Sequence, residues 1–205
     1  MKIVANNLSK RFNREWIIRN FSFEFSSGKT YAITGPNGSG KSTLLQLLWG
    51  QMPQSSGTIR YWHQDKEISI AEIFSSITIA TPYMDMIDEF TLEEMVQFHF
   101  RCKPSRQGKT NQEIIDLLEL SHAKKKPIVD FSSGMRQRLK LGLAFFTDSE
   151  MVFLDEPTTN LDKNSINWYW QHLSQLPPST LLLIASNQES EYPPSAEKID
   201  VLGYK

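Results

Sequence analysis

The 205 residues are 40% apolar and 22% charged, with a formal net charge of −1. That length holds one sizeable core, or one core with a small lobe, and the balance excludes a disordered chain. Nothing in the charge asks for nucleic acid, and the run Lys124, Lys125, Lys126 reads as a solvated loop face.

Cys102 is the single cysteine, so no intrachain disulfide can form and a cytosolic setting is expected. The start, Met1 to Asn7, lacks the apolar region of a signal peptide, and no apolar stretch approaches the ~20 residues of a membrane helix. The chain is expected neither to enter nor to cross a membrane by itself.

In chain order, Ile17 to Phe25 and Lys29 to Thr34 read as strands separated by the turn Ser26-Ser27-Gly28. Ser42 to Trp49 reads as a buried helix that ends near Gly50 and Pro53, followed by strands at Gly57 to Trp62 and Ile77 to Ala80. Glu93 to Phe100 and Gln112 to Leu120 carry helical spacing between loop-like segments, which predicts a small helical subdomain inserted at about 84–130. A helix over Ser133 to Phe146 leads to the apolar strand Met151 to Leu154. A helix from Lys163 to Leu176 and the strand Thr180 to Ala185 follow. Short apolar strands alternating with helices predict an α/β fold, a mainly parallel sheet covered on both faces, within a single domain of residues 1–205.

Gly35-Pro36-Asn37-Gly38-Ser39-Gly40-Lys41-Ser42 fits G-x-x-x-x-G-K-[ST] between a predicted strand and a predicted helix. Glycines let the backbone curl so that successive N–H groups face phosphate oxygens, and the helix N-terminus adds a favourable dipole. Lys41 is expected to reach the β- and γ-phosphates, Ser42 to place its hydroxyl on Mg²⁺, and Thr43 to hydrogen-bond the α-phosphate end.

Met151 to Leu154 runs into Asp155 and Glu156. A buried parallel strand has no use for charge, so the pair is expected at its C-terminal edge, where open α/β sheets place ligands. Asp155 suits Mg²⁺ held through water, and Glu156 suits a group that orients or deprotonates an attacking water.

These two motifs indicate a phosphate-loop (P-loop) NTPase, and others narrow the class. Phe131-Ser132-Ser133-Gly134-Met135-Arg136-Gln137-Arg138 resembles the LSGGQ signature of the ABC ATPase family, and Pro157-Thr158-Thr159-Asn160-Leu161-Asp162 resembles its D-loop. Lys10-Arg11-Phe12 resembles the segment carrying the adenine-stacking aromatic, with Phe12 the first candidate and Trp16 the second. In isolation, Ser132-Ser133-Gly134 reads first as an ordinary helix N-cap turn.

The resemblance implies an antiparallel β part near the N-terminus, ATP and Mg²⁺ as cofactors, and ATP hydrolysis. It also implies head-to-tail pairing with an identical or related cassette, in which Ser132 and Gly134 touch the γ-phosphate held by the partner cassette. The expected function is the ATP-binding subunit of an ABC transporter, peripheral on the cytoplasmic face of the membrane through an integral membrane partner. The Met-rich loop Tyr83 to Ile87 is a candidate for receiving that partner. A non-transport cytosolic ABC ATPase and a slow or degenerate ATP-binding regulatory module are the alternatives.

Departures from the pattern favour slow or regulated hydrolysis. Ser133 and Met135 replace a signature glycine and glutamine, Tyr83 stands where the Q-loop glutamine is expected, and Asn187 stands where the H-loop histidine is expected.

Overall fold

Phe21, Phe23 and Phe25 alternate along one strand and place their rings on one face, where Tyr31 packs edge-on against Phe25 with ring centroids 5.0 Å apart. Period-two alternation of this kind builds the first core of the protein. The computed structural model describes all 205 residues. Their elements are, in order, strands β1 (Lys2–Phe12), β2 (Glu15–Ser26) and β3 (Thr30–Thr34), helix α1 (Lys41–Leu48), strands β4 (Ser56–His63) and β5 (Lys66–Ile68), and the single turn α2 (Ile70–Ile73). Strand β6 (Ile77–Ala80), helices α3 (Leu92–Cys102), α4 (Asn111–Leu117) and α5 (Ser133–Phe146), and strand β7 (Met151–Asp155) follow. Helix α6 (Lys163–Ser174), strand β8 (Leu181–Ala185) and strand β9 (Glu197–Asp200) complete the chain, with short 3-10 turns between them.

These elements form two compact units. The first holds residues 1–77, 150–156 and 178–205; the second holds 78–149 and 157–177. The 84–130 insertion expected from the sequence falls inside the second unit, which reaches further on both sides.

In the first unit an antiparallel sheet runs β2-β1-β4-β5. Its β4–β5 turn uses Gln64 and Asp65, both left-handed at φ 48° and 63°, the backbone that matches the twist of a two-residue hairpin. Strands β7, β8, β3 and β9 lie side by side in that order, and the pairings β7–β8, β8–β3 and β3–β9 are parallel. All residues of β7 and β8 are buried, which is why both read as apolar runs without alternation.

Lys2–Phe12 was not expected as a strand, because Lys10 and Arg11 and an exposed Phe12 obscure its alternation and register shifts interrupt it between Ala5 and Arg11. The turn at Ser26-Ser27-Gly28 does not fold β2 back onto β3, since the two strands belong to different sheets. Strand β9 was also missed, being four residues of which only Ile199 is buried.

The second unit is helical. Helices α3 and α4 each open with a capping box, Thr91 with Glu94 and Thr110 with Glu113. Arg138 on α5 donates to Glu119 Oε2 and to Ser165 Oγ of α6, each at 2.5 Å, and its guanidinium lies 5.3 Å from the Trp168 ring centre. One cation thereby ties three helical segments together.

Candidate functional site

Strand β3 ends at Thr34 and the glycine loop begins at once. Gly35 and Gly40 hold φ of 141° and 102°. A Cβ at Gly35 would meet Ser39 Oγ at 2.7 Å, and one at Gly40 would meet Ile17 Cγ2 at 2.6 Å, so both positions exclude side chains by backbone angle and by space. Gly38, at φ 76°, faces open space on its Cβ side. The loop is thus packed beneath, against β2, and open above.

Lys41 and Ser42 start α1, with Gly40 as a left-handed cap residue and no acidic side chain in the first turn. The positive end of the helix is left to an anion from elsewhere. Lys41 is 4% exposed and donates to the carbonyls of Gly35 (2.9 Å) and Pro36 (3.1 Å), so its ammonium lies folded over the loop it belongs to. Pro36 and Asn37 form the outer edge of the loop, Ser39 is buried beneath with its hydroxyl unpartnered, and Thr43 is half-buried one turn into the helix.

Asp155 closes β7 and is 2% exposed. Burial pushes its carboxyl pKa up to about 6; a hydrogen bond from the Ser42 hydroxyl and the charge of Lys41 pull the other way, while Glu156 and Glu191 add to the rise. Its Oδ1 is buried and has no hydrogen-bond partner. A buried, partnerless carboxylate oxygen beside a serine hydroxyl is a hard-oxygen set that fits Mg²⁺, which uses one or two protein oxygens and takes the rest from phosphate and water.

Glu156 follows at φ 44°, a left-handed backbone that costs a non-glycine residue roughly 1 kcal/mol or more. Its amide donates to Ala185 O at 2.9 Å, which fixes the turn. Asn187, just beyond β8, donates from Nδ2 to Asn37 Oδ1 at 3.0 Å, so the segment after β8 is tied to the outer edge of the glycine loop.

Phe12 lies at the end of β1, 45% exposed, with the Lys10 ammonium 5.1 Å from its ring centre. Trp16 is flanked by two guanidinium groups, Arg11 at 5.5 Å and Arg19 at 5.3 Å, which leaves Phe12 the less occupied aromatic surface. Phe12, the loop 35–43, Asp155, Glu156 and Asn187 all belong to the first unit.

Tyr83, Ser132, Gly134 and Asp162 belong to the second unit. Tyr83 is 80% exposed. Ser132 caps α5, its Oγ accepting from Met135 N at 3.2 Å, and a Cβ on Gly134 would meet Asn160 O at 3.1 Å. Asp162 caps α6 by accepting from Ser165 N at 2.7 Å, and that bond holds its carboxyl below the usual range.

Three participants escaped the sequence reading. Ile17 is the wall against Gly40, Gln137 donates to Pro157 O at 2.8 Å, and Glu191, wholly buried, accepts from Ser186 Oγ. Gln137 and Glu191 look like surface residues in the sequence, and only the fold shows them buried.

A glycine loop between a buried strand and a helix, together with a desolvated strand-end carboxylate hydrogen-bonded to the first helical serine, defines a phosphate-loop nucleotide-binding domain. The ABC transporter family model matches residues 18–159, more than half of the chain, and the chain belongs to that family, whose ATPase domain binds and hydrolyses ATP.

An uncharacterised ABC transporter ATP-binding protein of Bacillus subtilis, YcbN, is 30% identical over 203 residues, covering 98% of this chain and 66% of the relative. The Nod factor export ATP-binding protein I of Sinorhizobium fredii is 32% identical over 178 residues, covering 85% of this chain and 52% of the relative. The chain therefore spans between half and two thirds of the length of these relatives. A solved structure of a putative ABC transporter ATP-binding protein from Pyrococcus furiosus superposes with a TM-score of 0.81 at 19% identity, covering 100% of this chain and 99% of that one. At that identity the likeness establishes the fold.

Proposed function

We propose that this chain binds MgATP on the loop 35–43, hydrolyses it with Glu156 as the water-orienting base, and serves as the ATP-binding subunit of a transporter. The observation that carries the nucleotide site is the buried, partnerless Oδ1 of Asp155 beside the Ser42 hydroxyl. Such an oxygen costs about 1–3 kcal/mol unless a cation satisfies it.

In this reading Lys41 exchanges the carbonyls of Gly35 and Pro36 for the β- and γ-phosphate oxygens, and the loop amides with the α1 N-terminus hold the remaining charge. Thr43 hydrogen-bonds the α-phosphate end, and Phe12 stacks on the adenine. Ser42 and Asp155 hold Mg²⁺, which when bound neutralises charge on the phosphates. Glu156 orients the attacking water and accepts its proton. Asn187 positions the outer edge of the loop through Asn37, a hydrogen-bonding role that its amide can fill without becoming cationic.

Ser132 and Gly134 act on the nucleotide of a second, identical or related cassette arranged head to tail, and Asp162 lies in the segment that meets that cassette. The helical segment 84–130 is an inserted subdomain, and the loop that carries Tyr83 is the contact for a separate membrane-spanning partner, which holds the chain at the cytoplasmic face. No helix is long and apolar enough to cross a membrane.

A slow, regulatory cassette is the second reading, favoured by the engagement of Asn187 with Asn37 and by the exposed Tyr83. Mg²⁺-dependent ATP turnover by the purified chain, together with co-purification of a multi-spanning protein from membranes, tests the first reading. Absence of Mg²⁺-dependent nucleotide binding would overturn both.

A further inference from the structure

Ser186 leads from β8 into the segment that carries Asn187, and its hydroxyl is used in both directions. Its backbone N–H donates to Ile33 O of β3 at 3.0 Å, two residues before the glycine loop begins. Its Oγ accepts from Gln188 N at 2.8 Å and donates to Glu191 Oε2. The same hydroxyl lies 3.2 Å from Gln188 O, so a second, longer acceptor is within reach. A serine carries one proton and a carboxylate is the stronger acceptor, so the proton is directed to Glu191 and a lone pair is left facing the Gln188 N–H. Glu191 N in turn donates to Gln188 O at 3.1 Å, which closes the turn 186–191 on itself.

Ser186 and Glu191 are both wholly buried, whereas Asn187 is exposed and reaches Asn37 of the glycine loop. A carboxylate buried to this degree is costly, and an apolar side chain of similar length would pack there at lower cost. What an apolar side chain would not do is set the rotation of the Ser186 hydroxyl. The two neighbours of Asn187 in the chain, Ser186 and Gln188, meet at that hydroxyl, so its rotation fixes the backbone on both sides of Asn187. All of these residues belong to the first unit.

We infer that Glu191 is a positioning residue for ATP hydrolysis, acting through the Ser186 hydroxyl to hold the turn 186–188 so that Asn187 meets the outer edge of the glycine loop. This deepens the proposed function and rests on its reading of Asn187 and the loop 35–43 as parts of the nucleotide site. Glu191 itself touches no reacting atom in this arrangement. Without its carboxylate, the Ser186 proton turns to Gln188 O, the lone pair leaves the Gln188 N–H, and the Asn187 amide loses its fixed aim at Asn37. A misaimed side chain at a phosphate site costs rate more than affinity, because its orientation matters most in the transition state.

A double-mutant cycle on the full chain tests the inference, with kcat and KM for MgATP and the melting temperature measured for each variant. Glu191→Leu should lower kcat by about five- to ten-fold, the value of one ordinary hydrogen bond, with KM within a few-fold. Glu191→Gln, which keeps an acceptor for Ser186 Oγ, should retain most of kcat. Asn187→Ala should lower kcat by the same factor as Glu191→Leu, and the double variant should be no slower than either single one, since both remove one contribution. Losses of melting temperature, which a merely structural role would produce, should instead add. If Glu191→Leu does not fold, Ser186→Ala removes the middle of the same line and should behave as Glu191→Leu does, alone and with Asn187→Ala. Multiplying losses in the double variant, a Gln variant as slow as the Leu variant, or a parental kcat in folded Glu191→Leu overturns the inference. Absence of Mg²⁺-dependent turnover in the parent, or no loss in Asn187→Ala, would instead overturn the reading of the nucleotide site on which it rests.

Discussion

Asn187 reaches across to the glycine loop and donates from Nδ2 to Asn37 Oδ1 at 3.0 Å, so the side chain at the H-loop position is engaged with the loop. An amide can hold a loop or donate to one phosphate oxygen, but it cannot carry positive charge near neutral pH as imidazole can. Asn187→His should raise the steady-state ATPase rate, by up to about 10²-fold where charge stabilisation is limiting, while nucleotide affinity stays within a few-fold. Phosphate release at saturating MgATP, set beside a nucleotide titration, checks both halves. No gain in rate would mean that another group fills the role.

Lys41 is the only cation that the loop turns inward, and its current partners are two neutral carbonyls. Lys41→Ala should weaken MgATP binding by roughly ten- to a hundred-fold, the value of a desolvated charge-assisted hydrogen bond, and should abolish turnover. Calorimetric titration with MgATP reads the first effect, and unchanged affinity would remove Lys41 from the site.

Glu156→Gln keeps shape and one hydrogen bond while removing the base. Affinity for ATP should persist, turnover should fall by about 10²-fold or more, and light scattering in saturating MgATP should show a shift toward a dimer. A persistent monomer would count against pairing of identical chains.

His99 gives a prediction about stability. Its Nε2 pairs with Thr147 Oγ1 at 2.8 Å, and burial, with Lys103 nearby, lowers its pKa from the ordinary 6.5 to about 4. A depressed value means that the folded state binds fewer protons than the unfolded one. The contribution is therefore complete above pH 6.5 and is lost as pH falls from 6.5 toward 4, to a total of at most about 3 kcal/mol. His99→Gln, which retains a partner for Thr147, should flatten the melting temperature against pH over that interval. An unchanged slope would show that other groups set the acid sensitivity.

The parts legible in the sequence are those in which a short local pattern carries the physics. Gly35 to Ser42 is a contiguous loop, β7 and β8 are apolar runs of fixed length, and Ser133 to Phe146 is a helix with clear limits. Illegible were the features that depend on residues distant in the chain. Asn37 and Asn187 are 150 positions apart, Gln137 is buried only because Pro157 offers it a carbonyl, and β1 is held by pairing to β2 and β4 despite its polar, bulged sequence. Ser132 and Asp162 were read for their place in family motifs, and both are seen capping helices, which the isolated reading of Ser132 as an N-cap had also predicted.

The division into residues 1–77, 150–156 and 178–205 on one side, and 78–149 and 157–177 on the other, means that the backbone passes between the units four times, at 77/78, 149/150, 156/157 and 177/178. A single proteolytic nick at any one passage gives two fragments that both contribute residues to at least one of the units, so the nicked protein should elute as one species held by packing and separate only in denaturant. Neither unit corresponds to one uninterrupted stretch of chain, so neither can be produced as a simple truncation. One passage falls immediately after Glu156, where a left-handed residue is followed by a proline with its φ fixed by the ring.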